Sequence, residues 1–216
     1  MKPQSDIAKR RKAARQFGDE EYNNRRQEIF TAAARVFREK GLKAANLADI
    51  ASETGMDRAT LYYYVSGKDE IFHHVVRDAV LHNVEAAEAI RDDGGIGPRE
   101  KVAAFIRRLM QSYADHYPYL FVFVQENLSH LDNSTEWNRE MLALAMRFNT
   151  AVVDIVQQGL DDGSFRPAIG RDADLIAYAL IGMCNWSHRW FDPAGRRTAE
   201  EIGDLFAELA LGGLLG

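Results

Sequence analysis

The 216-residue chain has a single cysteine, Cys184, so no intrachain disulfide is available to it. A disulfide-stapled scaffold is excluded and a reducing compartment is expected. Long apolar runs are also missing. The longest uncharged stretch, the 14 residues from Leu175 to His188, falls short of the roughly 20 that a spanning helix needs. Lys2, Lys9, Arg10, Arg11, Lys12 and Arg15 crowd the N-terminus with no apolar segment behind them, which is not the pattern of a signal peptide. Hairpin signals flanked by alternating β-branched residues are absent, as are a Gly-rich phosphate loop and a Gly-x-Ser-x-Gly elbow. The expectation is a cytoplasmic protein with no membrane partner, no cofactor and no catalytic residues.

Positive charge is in short supply overall, with 27 Lys and Arg against 32 Asp and Glu, a net of −5. That total argues against a nucleic-acid partner, but its distribution does not. Residues 1–68 carry 14 basic and nine acidic residues, a net of +5, whereas residues 69–216 carry 13 and 23, a net of −10. A basic head on an acidic body directs a polyanion to the head alone.

What the sequence has is helix. With 46% hydrophobic residues it can form a buried core. The first helix spans about 19–40, with Ile29, Phe30, Ala33, Val36 and Phe37 on one face and Gly41 as a left-handed stop. Short helices follow at 47–53 and 58–64, capped by Asn46 and Asp57. A capping box at Ser66–Asp69 opens a helix to about Ile90, Pro98 starts another, and Pro118 precedes the aromatic run 119–124. A long helix from about 135 to 160, with Asn133 and Glu136 as its capping box, buries Trp137, Met141, Leu144, Phe148, Ala151 and Ile155. The last two helices are expected at about 172–191 and after a Thr198–Glu201 cap. The fold class is all-α, about nine helices.

Residues 47–62 have the chemistry of a helix-turn-helix. Ala51 is small where two helices cross, Gly55 supplies the positive φ of a tight turn, and Leu61 shares a core with Ile50. Any αα-hairpin with a glycine turn meets those conditions. The next segment, Leu61-Tyr62-Tyr63-Tyr64-Val65-Ser66-Gly67-Lys68-Asp69-Glu70-Ile71, narrows the choice, because it strongly resembles the signature of the tetracycline-repressor (TetR) family of transcriptional regulators. The match runs through residues 25–75; Met56, Tyr64 and Ala48 depart from the family's usual valine, histidine and arginine.

The resemblance implies a flexible basic arm (1–18), a three-helix DNA-binding domain (19–67) and a larger effector-binding and dimerisation bundle (68–216). It implies that Asn46 caps the second helix beside the backbone of a double-stranded operator. Arg58, Ala59 and Thr60 would open the recognition helix in the major groove, with Arg58 on guanine. Tyr62 and Tyr63 would face the duplex edge, and Tyr64 and Lys68 would hold phosphates. The tyrosines can instead act as a staple of the small domain, and the arm as a solvated tail.

In the body, His74, Asp78 and His82 share a helical face but read as solvated rather than metal-binding, and Cys184 reads as a core thiol. Phe105, Met110, Tyr113, Phe123, Met146, Tyr178, Trp186 and Arg189 are the candidate walls of a cavity for a small hydrophobic effector, which the resemblance of residues 185–195 extends to acyl-CoA or lipid-like compounds. The apolar excess of the last two helices points to a homodimer formed through them. The expected function is a repressor released from a palindromic operator by that effector; the alternative is an architectural DNA binder that answers to no effector.

Overall fold

A computed structural model of the chain describes residues 20–126, 135–166 and 170–215. The basic arm at residues 1–18 and the capping residue Asn133 lie outside the described residues. Among those described there are nine α-helices and no strand: α1 (Glu20–Ala44), α2 (Leu47–Glu53), α3 (Arg58–Tyr64), α4 (Lys68–Asp92), α5 (Pro98–Asp115), α6 (Tyr119–Glu126), α7 (Glu136–Asp161), α8 (Ala173–Asn185) and α9 (Ala199–Leu215). They group into two compact units that divide within α4, after Asp78. The first turns of α4 belong with the head because their apolar side chains complete its core: Phe72 meets Phe37 edge-on at 6.4 Å, and Ile71, Val75 and Val76 are buried.

In the head, α1 packs on α2 and α3. Its regular geometry stops at Gly41, whose φ of 74° only glycine adopts without strain. Asn46 accepts from the amides of Ala48 and Asp49 while Asp49 accepts from the amide of Asn46, a complete capping box that starts α2. The bond from Lys40, and then that from the Asn46 amide, hold the Asp49 carboxyl below the usual range. The box expected at Ser66–Asp69 closes one residue further on. Glu70, not Asp69, accepts from the amide and hydroxyl of Ser66, and its other oxygen takes Arg26 of α1 at 2.8 Å. A single carboxylate thus ties α1 to the turn that opens α4.

In the body, α5 lies along α9 so closely that a Cβ on Gly203 would come within 3.1 Å of the Arg107 Cα. The α5, α7 and α8 helices pack against one another, and the cavity forms among their side chains. Phe165 folds back under α7 onto Gly159, where a Cβ would stand 2.2 Å from the ring. Thr135 caps α7 by accepting from the Asn138 amide, in the place expected of Asn133. The helix expected from 172 to 191 ends at Asn185 and tightens into a 3-10 turn, Trp186–Arg189, which throws Trp186 and Trp190 outward. The Thr198–Glu201 box forms reciprocally and starts α9.

Candidate functional site

The helix-turn-helix is built by local rules. Ala51 is buried at the crossing, Gly55 turns the chain with φ 65°, and the Met56 amide donates to the Ala51 carbonyl at 2.9 Å. Ile50 and Leu61 are wholly buried and lock α2 to α3. Asp57 caps α3 by accepting from the Thr60 amide at 2.8 Å and from its hydroxyl at 3.1 Å. Those two bonds hold the Asp57 carboxyl below its ordinary value.

The first turn of α3 is therefore capped and solvent-facing. Arg58, Ala59 and Thr60 are all exposed. Arg58 makes no hydrogen bond or ion pair with any other described residue, so its five donors are open. Thr60 already commits its hydroxyl proton to Asp57 and keeps only acceptor capacity. Asn46 is exposed, with its side-chain oxygen spent on the cap.

The three tyrosines divide. Tyr62 is 37% exposed and faces solvent. Tyr64 stacks on Tyr22 of α1 at 5.1 Å, Tyr63 meets both rings edge-on, and the Tyr22 hydroxyl donates to the Tyr64 carbonyl. Two of the three are thus a staple between α1 and α3. Lys68 is also engaged. Its ammonium donates to the carbonyls of Leu42 at 2.9 Å and Ala45 at 3.1 Å, closing the end of α1. Beside that end stands Lys43, exposed and with no partner among the described residues. A lysine in the last turn of a helix reads as a dipole partner, so nothing in the sequence singled it out.

The body holds a cavity of about 260 Å³ lined from five helices: Val80 and Asn83 of α4, Leu109 and Tyr113 of α5, Leu120, Phe123 and Val124 of α6, Met141, Ala145, Phe148 and Asn149 of α7, and Tyr178, Ile181 and Asn185 of α8. Of the eight residues expected to form it, Tyr113, Phe123 and Tyr178 do. Phe105 and Met110 are core residues behind the wall, Phe105 backing Phe148 at 5.7 Å. Met146 and Trp186 point to solvent, 64% and 63% exposed, and Arg189 is exposed over the Trp186 ring at 5.8 Å. Met146 misses because it follows Ala145 by one residue, about 100° around the helix from the wall. Nothing in the sequence marks Asn83, Asn149 and Asn185 as wall residues, since asparagine on a helix ordinarily marks a solvated face.

Cys184 is fully buried and its thiol is pushed up to about 12 by burial, which makes it unreactive. His74 stacks on Phe30 at 4.2 Å, and the described residues contain no group of three metal-ligating side chains. No helix among them is long and apolar enough to cross a membrane.

Known proteins match both units. The family model described as bacterial regulatory proteins, tetR family, covers residues 29–75, and the tetracyclin repressor-like C-terminal domain covers residues 95–214. The HTH-type transcriptional repressor KstR2 of Mycolicibacterium smegmatis is 29% identical over 197 residues, spanning 88% of this chain and 91% of that protein. The TetR family regulator PfmR of Thermus thermophilus has a similar structure, with a TM-score of 0.71 at 30% identity over 86% of this chain and 98% of its own. The ketosteroid transcriptional regulator KstR2 of Mycobacterium tuberculosis gives 0.72 at 26% identity, over 89% and 95% of the two chains. With two family models spanning head and body, the chain belongs to the TetR family and is a DNA-binding transcriptional regulator, not an enzyme.

Proposed function

We propose that the protein is a cytoplasmic, homodimeric repressor that binds a palindromic operator and leaves it when a small hydrophobic effector enters the body cavity. The observation that carries this is Arg58: an exposed guanidinium without a partner among the described residues, on the first turn of a capped recognition helix. A planar fork of donors in that position suits guanine O6 and N7 in a major groove. Ala59 is short enough to let the helix approach, while Thr60 offers an acceptor and Tyr62 a ring at the duplex edge. Asn46, Lys68 and the neighbouring Lys43 flank the phosphates; Lys68, held by two carbonyls, lends charge without reach. Tyr63 and Tyr64 support the reading helix from behind.

A dimer accounts for the apolar surface of the body. Leu175, Tyr178, Trp186, Trp190, Leu205 and Leu209, each more than half exposed, all stand on α8, α9 or the link between them. A groove of about 300 Å³ between α8 and α9 runs over Leu175, Ile176, Ala179, Met183 and Leu209. Two such faces joined by a two-fold axis make a four-helix interface and present two recognition helices to successive grooves. The cavity supports an effector, and favours a regulated repressor over an architectural DNA binder. Its α4 wall carries Val80 and Asn83 on the same helix whose first turns complete the head core. An acyl-CoA or other lipid-like compound is the effector class that the resemblance of residues 185–195 suggests, and a relative that is a ketosteroid regulator supports an apolar ligand.

Selection from a pool of random duplexes tests this. The wild-type protein should enrich a palindrome whose half-sites are about 10 base pairs or a multiple apart, and Arg58→Ala should lose the guanine preference within each half. Enrichment of unpaired sites, or the same preference from Arg58→Ala, would overturn it.

A further inference from the structure

The chemistry of the cavity wall restricts what enters it. None of the 14 described residues that line it is Lys, Arg, His, Asp or Glu. Three are asparagines, and they come from three different helices: Asn83 on α4, Asn149 on α7 and Asn185 on α8. The Tyr113 hydroxyl donates to the side-chain oxygen of Asn185, which leaves the NH₂ of that amide as the group still to be satisfied. The side chains of Asn83 and Asn149 hydrogen-bond to no other described residue. Apart from the phenol of Tyr178, the rest of the wall is apolar, including Leu109, Phe123, Met141 and Phe148.

A carboxylate or phosphate brought among these side chains sheds its water and meets no cation among the described residues, a large desolvation penalty. A ketone or hydroxyl oxygen has a much smaller desolvation penalty and accepts what the amides offer. A saturated hydrocarbon would bury the same apolar area but leave the amides unpaired. The volume of about 260 Å³ falls just below the roughly 300–1,000 Å³ of sites for drug-sized molecules, so the occupant is compact.

We propose that the part of the effector that occupies the cavity is an uncharged, oxygen-bearing hydrocarbon, a ketone or an alcohol, oriented through its oxygen by the amides of Asn83, Asn149 and Asn185, and that anionic head groups are kept out. An acyl thioester satisfies this with its acyl carbonyl inside and its phosphates outside; a free fatty-acid carboxylate does not. The proposal rests on the cavity being the effector site and adds the chemistry that the site selects.

The test uses the full chain and a panel of cyclic and linear skeletons of about ten carbons, the size class of a small occupant, each supplied as hydrocarbon, ketone, alcohol and carboxylate. Binding is measured by calorimetry and thermal shift, apart from any DNA. For the skeletons that bind, the ketone or alcohol should be tighter than the matching carboxylate by at least about tenfold, the scale of one satisfied buried hydrogen bond. Asn83→Leu with Asn149→Leu should shrink the advantage of ketone over hydrocarbon, and adding Asn185→Leu should erase it, while hydrocarbon binding persists; Asn149→Lys should admit the carboxylates. Carboxylates that bind the wild type as well as ketones do, or a ketone advantage that survives the triple leucine variant, overturn the proposal. Binding by no member retires the cavity as a ligand site and the proposal with it. Neutral ligands that bind through the asparagines but leave the DNA complex intact uphold the ligand class and instead refute effector-driven release.

Discussion

The hydroxyl of Tyr113, in the last turn of α5, donates to the side-chain oxygen of Asn185, the last residue of α8. Burial pushes the Tyr113 phenol well above its ordinary value, so it remains a protonated donor at any working pH. The bond fixes the orientation of the Asn185 amide at the cavity and joins α5 to the point where α8 gives way to the 3-10 turn. Tyr113→Phe should leave the Asn185 oxygen unpaired and lower body stability by about 1–2 kcal/mol, read as a lower urea midpoint with an unchanged slope. An unchanged midpoint would mean that the bond is not formed in solution.

Lys68 and Lys43, both at the end of α1, do different work. Lys68 closes the end of α1 through two carbonyls, so Lys68→Ala should cost the head about 1–2 kcal/mol of stability before any DNA is present. Lys43 has no described partner to lose. Lys43→Ala should leave thermal unfolding unchanged and reduce the salt slope of operator binding by about two, about one for each protomer of the bound dimer. The reverse pattern, a stability loss for Lys43→Ala and a pure salt-slope change for Lys68→Ala, would contradict these placements.

Gly159 is where α7 meets the ring of Phe165. The 2.2 Å left for a Cβ is far inside van der Waals contact, and the neighbour is a fully buried aromatic ring that cannot swing away. Gly159→Ala should therefore destabilise by about 1–3 kcal/mol despite its better helix propensity. A urea midpoint that does not fall in Gly159→Ala would contradict the close packing of α7 on the Phe165 ring.

The exposed stripe on α8 and α9 predicts an association state. Leu209→Glu places a charge at a position 60% exposed in the single chain, where an isolated subunit tolerates it. Sedimentation should show a dimer for the wild type and a monomer for the variant, with the same helical circular dichroism. A wild-type monomer at micromolar concentration would remove the proposed interface.

The parts legible in the sequence are those set by neighbours a few residues apart. Helices α2 and α3 lie where Asn46 and Asp57 cap them, Gly41 and Gly55 turn the chain as expected, and Thr198 with Glu201 starts α9. Features that depend on distant partners are not legible there. Lys68 resembles a free phosphate ligand until the carbonyls of Leu42 and Ala45 come to it. Tyr64 looks available until Tyr22, 42 residues away, stacks on it. In the body, apolar character identifies Tyr113, Phe123 and Tyr178 but also Met146, which stands one residue off the wall, and Trp186, which lies on the exposed apolar stripe. The asparagines escape notice because their role comes only from the apolar walls that five helices assemble around them.

The proposed release requires cavity and operator to compete through the protein. The most direct measurement is a fluorescence anisotropy titration of the selected operator at fixed salt, with and without a saturating cavity ligand, paired with calorimetry of that ligand with and without operator. Linkage requires the ligand to weaken operator binding and the operator to weaken ligand binding by the same factor, expected at about 5–150-fold. Operator affinity that is unchanged while the ligand fully occupies the cavity would contradict the account.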